Sequence, residues 1–353
     1  MDLSDLRRMR LSAHLLAQPA ADVATTARWM GALQAQDYQG GLWAIGVRSQ
    51  GATRSDVESA IERREIVRTW PMRGTLHFIA PELVRPVLRL TAPRIKQRIA
   101  ARERQLGIDD GVLARATKVV SAQIRERGPS TRPELYAAMA GAGLSPDGQR
   151  GIHVLGQLAR DLLLCFRTGP RETAHVRFAR RVAASVHRHT GRPGRPELAR
   201  RYFQSHGPAT VRDFAWWSNL TLADARGALD ACKAGFTVRE VGGVEYWFDP
   251  EAVVHHTEVV QLLPVFDELI LGYTDRSTVA PPDHLRRLIP GSNGMFLASV
   301  VDADGEIRGL WRRQASKRAG LTFDLFDEGL DEALLASAAA RYADFLESST
   351  PAR

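Results

Sequence analysis

From Asp22 onward, Val23, Ala27, Met30 and Leu33 fall at spacings of three and four, the period of an amphipathic helix with Asp22 as its N-cap. The pattern predicts a helix that runs into Leu33-Gln34-Ala35-Gln36-Asp37-Tyr38 and breaks at Gly40-Gly41. On a regular helix, positions 34 and 36 point about 200° apart, so joint action on one ligand requires the chain to leave the helix by Ala35 or Gln36. Ser55-Asp56-Val57-Glu58 reads as a capping box opening a second helix, with Val57, Ile61 and Ile66 on its apolar side. In the segment up to Phe78 the period becomes two. Met72, Leu76 and Phe78 share one face, and Arg73, Thr75 and His77 the other, which predicts a strand displaying Arg73 and His77. His77 also reads as a hydrogen-bonded structural histidine, and Arg73 as a buried salt-bridge partner.

Two stretches repeat. Arg127-Gly128-Pro129-Ser130-Thr131-Arg132-Pro133-Glu134-Leu135 is echoed by His206-Gly207-Pro208-Ala209-Thr210-Val211-Arg212-Asp213-Phe214. Each copy ends one helix at Gly-Pro, starts a short one, and continues into a longer helix and a candidate hairpin. The first has a helix over 149–164 and a strand at His175-Val176-Arg177-Phe178. The second has a cap at Thr221 with Asp224, then Phe236–Val241 joined by Gly242-Gly243 to Val244–Phe248, a strong hairpin signal. Helices followed by a strand pair is the order of a winged helix-turn-helix unit. Three such units in tandem are expected, over 1–110, 111–190 and 191–255. Asp213, Asp224 and Asp230 put acid on the third unit's helices, which suits structure rather than groove reading.

After Pro250 an apolar run, Val259–Tyr273, precedes three expected strands at Met295–Val301, Ile307–Trp311 and Leu321–Phe326, with Asp302-Ala303-Asp304-Gly305 as the first turn. A helix over 330–347 closes the chain on Leu334, Leu335, Ala338, Tyr342 and Phe345. This gives a C-terminal β-rich domain over 256–353 and an α+β class overall. Between two of the strands lies the densest basic cluster, Arg312-Arg313-Gln314-Ala315-Ser316-Lys317-Arg318, placed to straddle phosphates or to form a solvated loop.

The 353 residues, 44% of them hydrophobic, are enough for two or three domains with real cores. No run of about 18 apolar residues and no basic-then-apolar leader is visible, so no membrane partner is expected and the location expected is cytoplasmic. Cys165 and Cys232 are too few for a zinc cluster or a disulfide framework and read as buried hydrophobes. The net charge of +8 favours a polyanionic partner, which places the protein at the nucleoid. Lysine is confined to Lys96, Lys118, Lys233 and Lys317, so nearly all positive charge is arginine, a bias that a GC-rich genome also produces.

Gln34 and Gln36 are the candidate chemistry. A carboxamide does not titrate, but it donates and accepts at once, so a pair can hold and orient a water or read a base edge. The plainer reading is that they finish a helix.

Four segments together resemble the winged-helix DNA glycosylases of the AlkZ and YcaQ type. They are Leu33-Gln34-Ala35-Gln36-Asp37, Arg68-Thr69-Trp70-Pro71-Met72-Arg73-Gly74-Thr75-Leu76-His77, Leu263-Pro264-Val265-Phe266-Asp267-Glu268-Leu269-Ile270-Leu271-Gly272-Tyr273-Thr274-Asp275-Arg276, and Asn293-Gly294-Met295-Phe296 through Gly309-Leu310-Trp311-Arg312-Arg313. The resemblance implies three winged-helix units and a β-domain wrapped as a C-shape around duplex DNA. It also implies a Gln-x-Gln active site at Gln34 and Gln36, and excision of N7-alkylated guanine, including bulky adducts and interstrand crosslinks from genotoxic natural products, with a link to self-resistance.

A cationic N7-alkylguanine leaves readily, so two carboxamides that position water beneath C1′ are adequate chemistry. Asp37 is adjacent and reads either as a base or, the favoured reading, as an exposed cap or salt-bridge residue. The four lysines lie far in sequence from the Gln motif, so no Schiff base and a monofunctional enzyme are expected. The candidate DNA contacts are Arg73, His77, Arg276, Arg312, Arg313, Lys317 and Arg318. No metal and no cofactor are expected, and the protein is read as a monomer acting on double-stranded DNA. For crosslinks, a base still in the duplex is the expected target, with the Arg312 to Arg318 hairpin probing the groove. The alternative is a non-catalytic winged-helix DNA-binding protein or transcriptional regulator, which would bind two half-sites as a dimer through a clearly basic recognition helix.

Overall fold

The structure, a computed structural model, describes residues 1–167, 174–177, 194–291, 294–314 and 320–347. In chain order it forms α1 (Leu3–Ala13), α2 (Val23–Met30), β1 (Ala32–Gln34), α3 (Tyr38–Gly46), α4 (Arg54–Glu62), β2 (Val67–Thr69), β3 (His77–Ile79) and α5 (Pro81–Gln105). Then come α6 (Asp110–Arg127), α7 (Arg132–Gly141), α8 (Arg150–Arg160), β4 (Leu164–Arg167), β5 (Ala174–Arg177), α9 (Arg195–His206), α10 (Val211–Ser218) and α11 (Leu222–Asp230). The last elements are β6 (Thr237–Val241), β7 (Val244–Phe248), β8 (Gln261–Leu263), α12 (Glu268–Leu271), α13 (Pro282–Leu288), β9 (Ser299–Val301), β10 (Ile307–Arg313), β11 (Leu321–Leu325) and α14 (Glu332–Leu346). The class is α+β. The elements pack as two compact units, one of Met1–Ala60 with Gly194–Arg353, the other of Ile61–Pro193.

In the 61–193 unit, β2 pairs antiparallel with β3 and β4, and β4 with β5. Leu135, Met139, Val154, Leu155 and Leu158 from α7 and α8 meet Val120 and Ile124 of α6 in one core that includes Trp70 and Phe166. Thr131 and Glu134 close a capping box at the start of α7, as the repeated Gly-Pro-x-Thr pattern requires.

The other unit repeats that start at Thr210 and Asp213 on α10. The turn between β6 and β7 is Gly242-Gly243, with φ of 59° and 77°, the pair of left-handed residues that a two-residue hairpin needs. Its second sheet runs β11-β10-β9-β8, antiparallel throughout. Trp43, Trp311, Tyr342 and Phe345 form an aromatic seam against it, with ring centroids 4.9–5.0 Å apart. The indole N–H groups of Trp43 and Trp311 donate to the carbonyls of Leu262 and Leu263. Each large apolar ring is thereby buried without orphaning its donor.

Several sequence expectations change. The helix from Val23 stops at Met30, because Gly31 at φ 73° ends it, and Leu33 and Gln34 are extended. Gly40 and Gly41 lie inside α3, which starts because Asp37 caps it by accepting from Gly40 N–H. At α4 the reciprocal cap is Thr53 with Asp56, while Glu58 pairs with Arg54 one turn on. The expected strand displaying Arg73 and His77 is two short strands around a turn. Met72 at φ 43° and Gly74 at φ 84° fold the chain back there, and Thr69 faces His77. Cys165 is buried and Cys232 half-buried. Helix α1, begun by a capping box between Asp2 and Asp5, had no place in the sequence reading.

Candidate active site and nucleic-acid interface

Gln34 ends β1 and is 7% exposed, whereas Gln36, two residues on, is exposed. With the helix ended at Met30, the 200° divergence of a helical pair no longer applies to Gln34 and Gln36. The condition that the chain leave the helix before Gln36 is met.

Behind Gln34 stands a buried carboxylate. Gln34 N–H donates to Glu268 Oε1 at 3.0 Å, and Trp217 Nε1–H donates to Glu268 Oε2 at 3.2 Å. His206 Nε2 lies 3.8 Å from the same Oε2, and Glu268 is 1% exposed. A carboxylate so buried is tolerable only where hydrogen-bond donors replace water.

The short helix carrying Glu268 is held at both ends. Asp267 caps its start by accepting from Leu269 N–H, and Arg48 grips Asp267 with two hydrogen bonds. At its other end Arg276 Nε donates to Ile270 O, Trp216 Nε1 to Leu271 O and the Tyr202 hydroxyl to Gly272 O. These carbonyls are the ones a helix C-terminus leaves without intrahelical partners.

Two histidines extend the network. Tyr273 hydroxyl donates to His206 O at 2.7 Å and lies 2.8 Å from His14 Nε2. The hydroxyl's single proton is thus committed, so His14 Nε2 carries the proton of that bond. The His14 and His206 rings meet edge-on at 4.7 Å. Burial lowers the pKa of both, well below the ordinary histidine range for His14; for His206 the nearby Glu268 opposes the shift. Burial also raises Tyr273 and Tyr202.

Other sequence candidates are scattered. Asp37 is the cap of α3. His77 is fully buried, with Nδ1 2.9 Å from Thr75 O, so it is not displayed; the period-two reading ran a strand through what is a turn. Arg73 is half-buried in that turn, and Arg98 donates to its carbonyl. Arg276 is half-buried with its guanidinium 5.0 Å from the Phe296 ring. Arg312 and Arg313 are exposed at the end of β10, while Lys317 and Arg318 lie outside the described residues. Asp213 is buried, caps Thr210 and accepts from Thr274, which accounts for acid on α10.

Glu268, His206, Trp217 and His14 went unassigned in the sequence. The available signal was Asp267-Glu268, two acids inside an otherwise apolar run. Among the described residues no group of three or more His, Cys, Asp or Glu could hold a metal, and no helix is long and apolar enough to cross a membrane.

Residues 27–345 match the family described as DNA glycosylase AlkZ-like, so the chain belongs to that family of DNA glycosylases. It is similar to the Interstrand DNA cross-link repair glycosylase of Streptomyces sahachiroi, at 24% identity over 308 residues, 79% of this chain and 79% of that one. Its fold matches the solved structure of Streptomyces sahachiroi DNA glycosylase AlkZ with a TM-score of 0.80, over 98% of this chain and 96% of that chain at 21% identity.

Proposed function

We propose that this glycosylase excises N7-alkylated guanine from duplex DNA, including bulky adducts and interstrand crosslinks made by genotoxic natural products, by monofunctional hydrolysis of the N-glycosidic bond. Gln34 and Gln36 hold the attacking water beneath C1′, one accepting its proton in a hydrogen bond and the other orienting it. The observation that carries this reading is the extended Gln34-Ala35-Gln36 segment, with Gln36 open to solvent, in a chain of this family. The name of the Streptomyces relative supports crosslinks as substrates. With a cationic leaving group already activated, placing water and stabilising a developing oxocarbenium is the task left to the protein.

The three described lysines support hydrolysis over Schiff-base chemistry. Lys96 pairs with Asp161, Lys233 pairs with Asp230 and Lys118 is exposed, all solvated positions. Arg312 and Arg313, with Arg73, Arg276, Lys317 and Arg318, are assigned to phosphates, and His77 to the scaffold of the hairpin that carries Arg73. The helix-then-hairpin order of α6–α8 with β4–β5 and of α9–α11 with β6–β7 supports winged-helix units as the second and third of the tandem, the first lying nearest the N-terminus of the chain. The protein works as a monomer at the nucleoid.

The test is base release from duplex DNA carrying N7-methylguanine, with EDTA present, by wild type and by the Gln34→Ala/Gln36→Ala variant. Release by wild type, slowed in the variant by on the order of a hundredfold or more, is the expected result. Equal release by both would move the chemistry elsewhere. Release by neither, followed by none from a natural-product crosslink, would leave the non-catalytic reading. Borohydride trapping of an enzyme–DNA adduct would overturn the monofunctional assignment.

A further inference from the structure

We infer that Glu268 is a positioning residue of the glycosylase, acting through Gln34; the inference rests on the assignment of Gln34 above. Glu268 Oε1 receives the Gln34 N–H at 3.0 Å, and Gln34 is the last residue of a three-residue strand, directly before the bend that carries Gln36. The carboxylate holds the main chain at that point from a helix that is itself immobilised. Arg48 holds the cap at Asp267, and Arg276, Trp216 and Tyr202 occupy the carbonyls at the other end. The second oxygen is committed to Trp217 Nε1–H at 3.2 Å, which sets the plane of the carboxylate.

The chemistry requires a carboxylate rather than an amide. Both oxygens accept at once, from Gln34 on one side and Trp217 on the other. A glutamine offers one oxygen, so its NH2 would oppose one of the two N–H donors. The negative charge is also held on the chain that carries Gln34, in a site with 1% exposure where charge is weakly screened. His206 Nε2 lies 3.8 Å from the carboxylate, and burial lowers its pKa.

The experiment is a cycle of Glu268→Gln and Gln34→Ala, singly and together, in the full-length protein. It reads single-turnover excision of N7-methylguanine, Kd for the same duplex, and Tm. Glu268→Gln should slow excision by on the order of a hundredfold, with Kd within about threefold, a difference of about 0.65 kcal/mol. In the Gln34→Ala background the same change should add less than about threefold, because the group it positions is gone. A scaffold role alone would cost equally in both backgrounds and would lower affinity in parallel, and either result overturns the inference. So does an unchanged rate in Glu268→Gln.

Should Glu268→Gln not fold, Glu268→Asp keeps the charge and shortens the reach by one methylene. It is expected to slow excision at unchanged Kd, and a wild-type rate in it would likewise overturn the inference. If Gln34→Ala is itself as fast as wild type, the parent assignment fails. If Gln34→Ala is slow while Glu268→Gln is not, only the role of Glu268 fails.

Discussion

Arg48 and Asp267 form a fork-to-fork pair, with Nη1 and Nη2 donating to the two carboxylate oxygens at 2.8 and 2.7 Å and neither side chain exposed. Arg48 Nη1 also donates to Ala44 O, so the pair joins the end of α3 to the start of α12. Removing one member leaves a buried, unpaired charge. Arg48→Met is expected to cost about 3–5 kcal/mol, read by urea denaturation, and to slow excision because Asp267 caps the helix that bears Glu268.

Gly46 sits against the ring of Phe345. A Cβ built there would lie 2.3 Å from the ring, in the aromatic seam of Trp43 and Tyr342. Gly46→Ala should therefore destabilise by about 1–3 kcal/mol. Trimming the ring with Phe345→Leu should make the alanine nearly neutral, and a double-mutant cycle in Tm measures the coupling.

The buried histidines give stability a pH dependence. In the unfolded chain both bind a proton near the ordinary histidine pKa of about 6.5; in the folded chain burial lowers that value for His14 and His206. The native state therefore binds fewer protons, and stability rises with pH. It is full above about 6.5 and is lost as pH falls from there toward the lowered native values, by up to about 1.4 kcal/mol per pH unit for each histidine. Denaturation midpoints between pH 7.5 and 5 should show this slope, and His14→Gln should remove part of it.

Arg312 and Arg313 are exposed at the end of β10. If each neutralises one phosphate, Arg312→Ala/Arg313→Ala lowers the slope of log K against log salt by about 1.8. Titrations of undamaged duplex at several salt concentrations check it. An unchanged slope would send the DNA to another face.

What could be read in the chain beforehand follows the range of the interaction. The β6–β7 hairpin was legible because its alternation and its Gly242-Gly243 turn are local and each requires the other. The capping boxes at Thr131 and Thr210 were legible for the same reason, three residues holding their own ends. Gln34 was found but misplaced, because the apolar spacing continued to Leu33 while the residue that ends the helix, Gly31, breaks the backbone rather than the pattern. His77 was assigned to a polar face because alternation ignores a turn. The buried network behind Gln34 was invisible: Glu268 lies 234 residues from Gln34 and His14 meets Tyr273 across 259, and no window of the sequence joins them.

Helix α1 shows when the unit of Met1–Ala60 with Gly194–Arg353 can take shape during synthesis. Arg8 bonds Asp304, Arg10 bonds Pro208 O and Thr278, and Ser12 accepts from His255 N–H. The chain's first helix thus waits on the ribosome for residues made hundreds of codons later, whereas the 61–193 unit is continuous in sequence and can fold as it emerges. Gln34 meets its carboxylate only once Glu268 has left the exit tunnel. A nascent chain stalled before that point carries the glutamine motif without the carboxylate that accepts the Gln34 N–H.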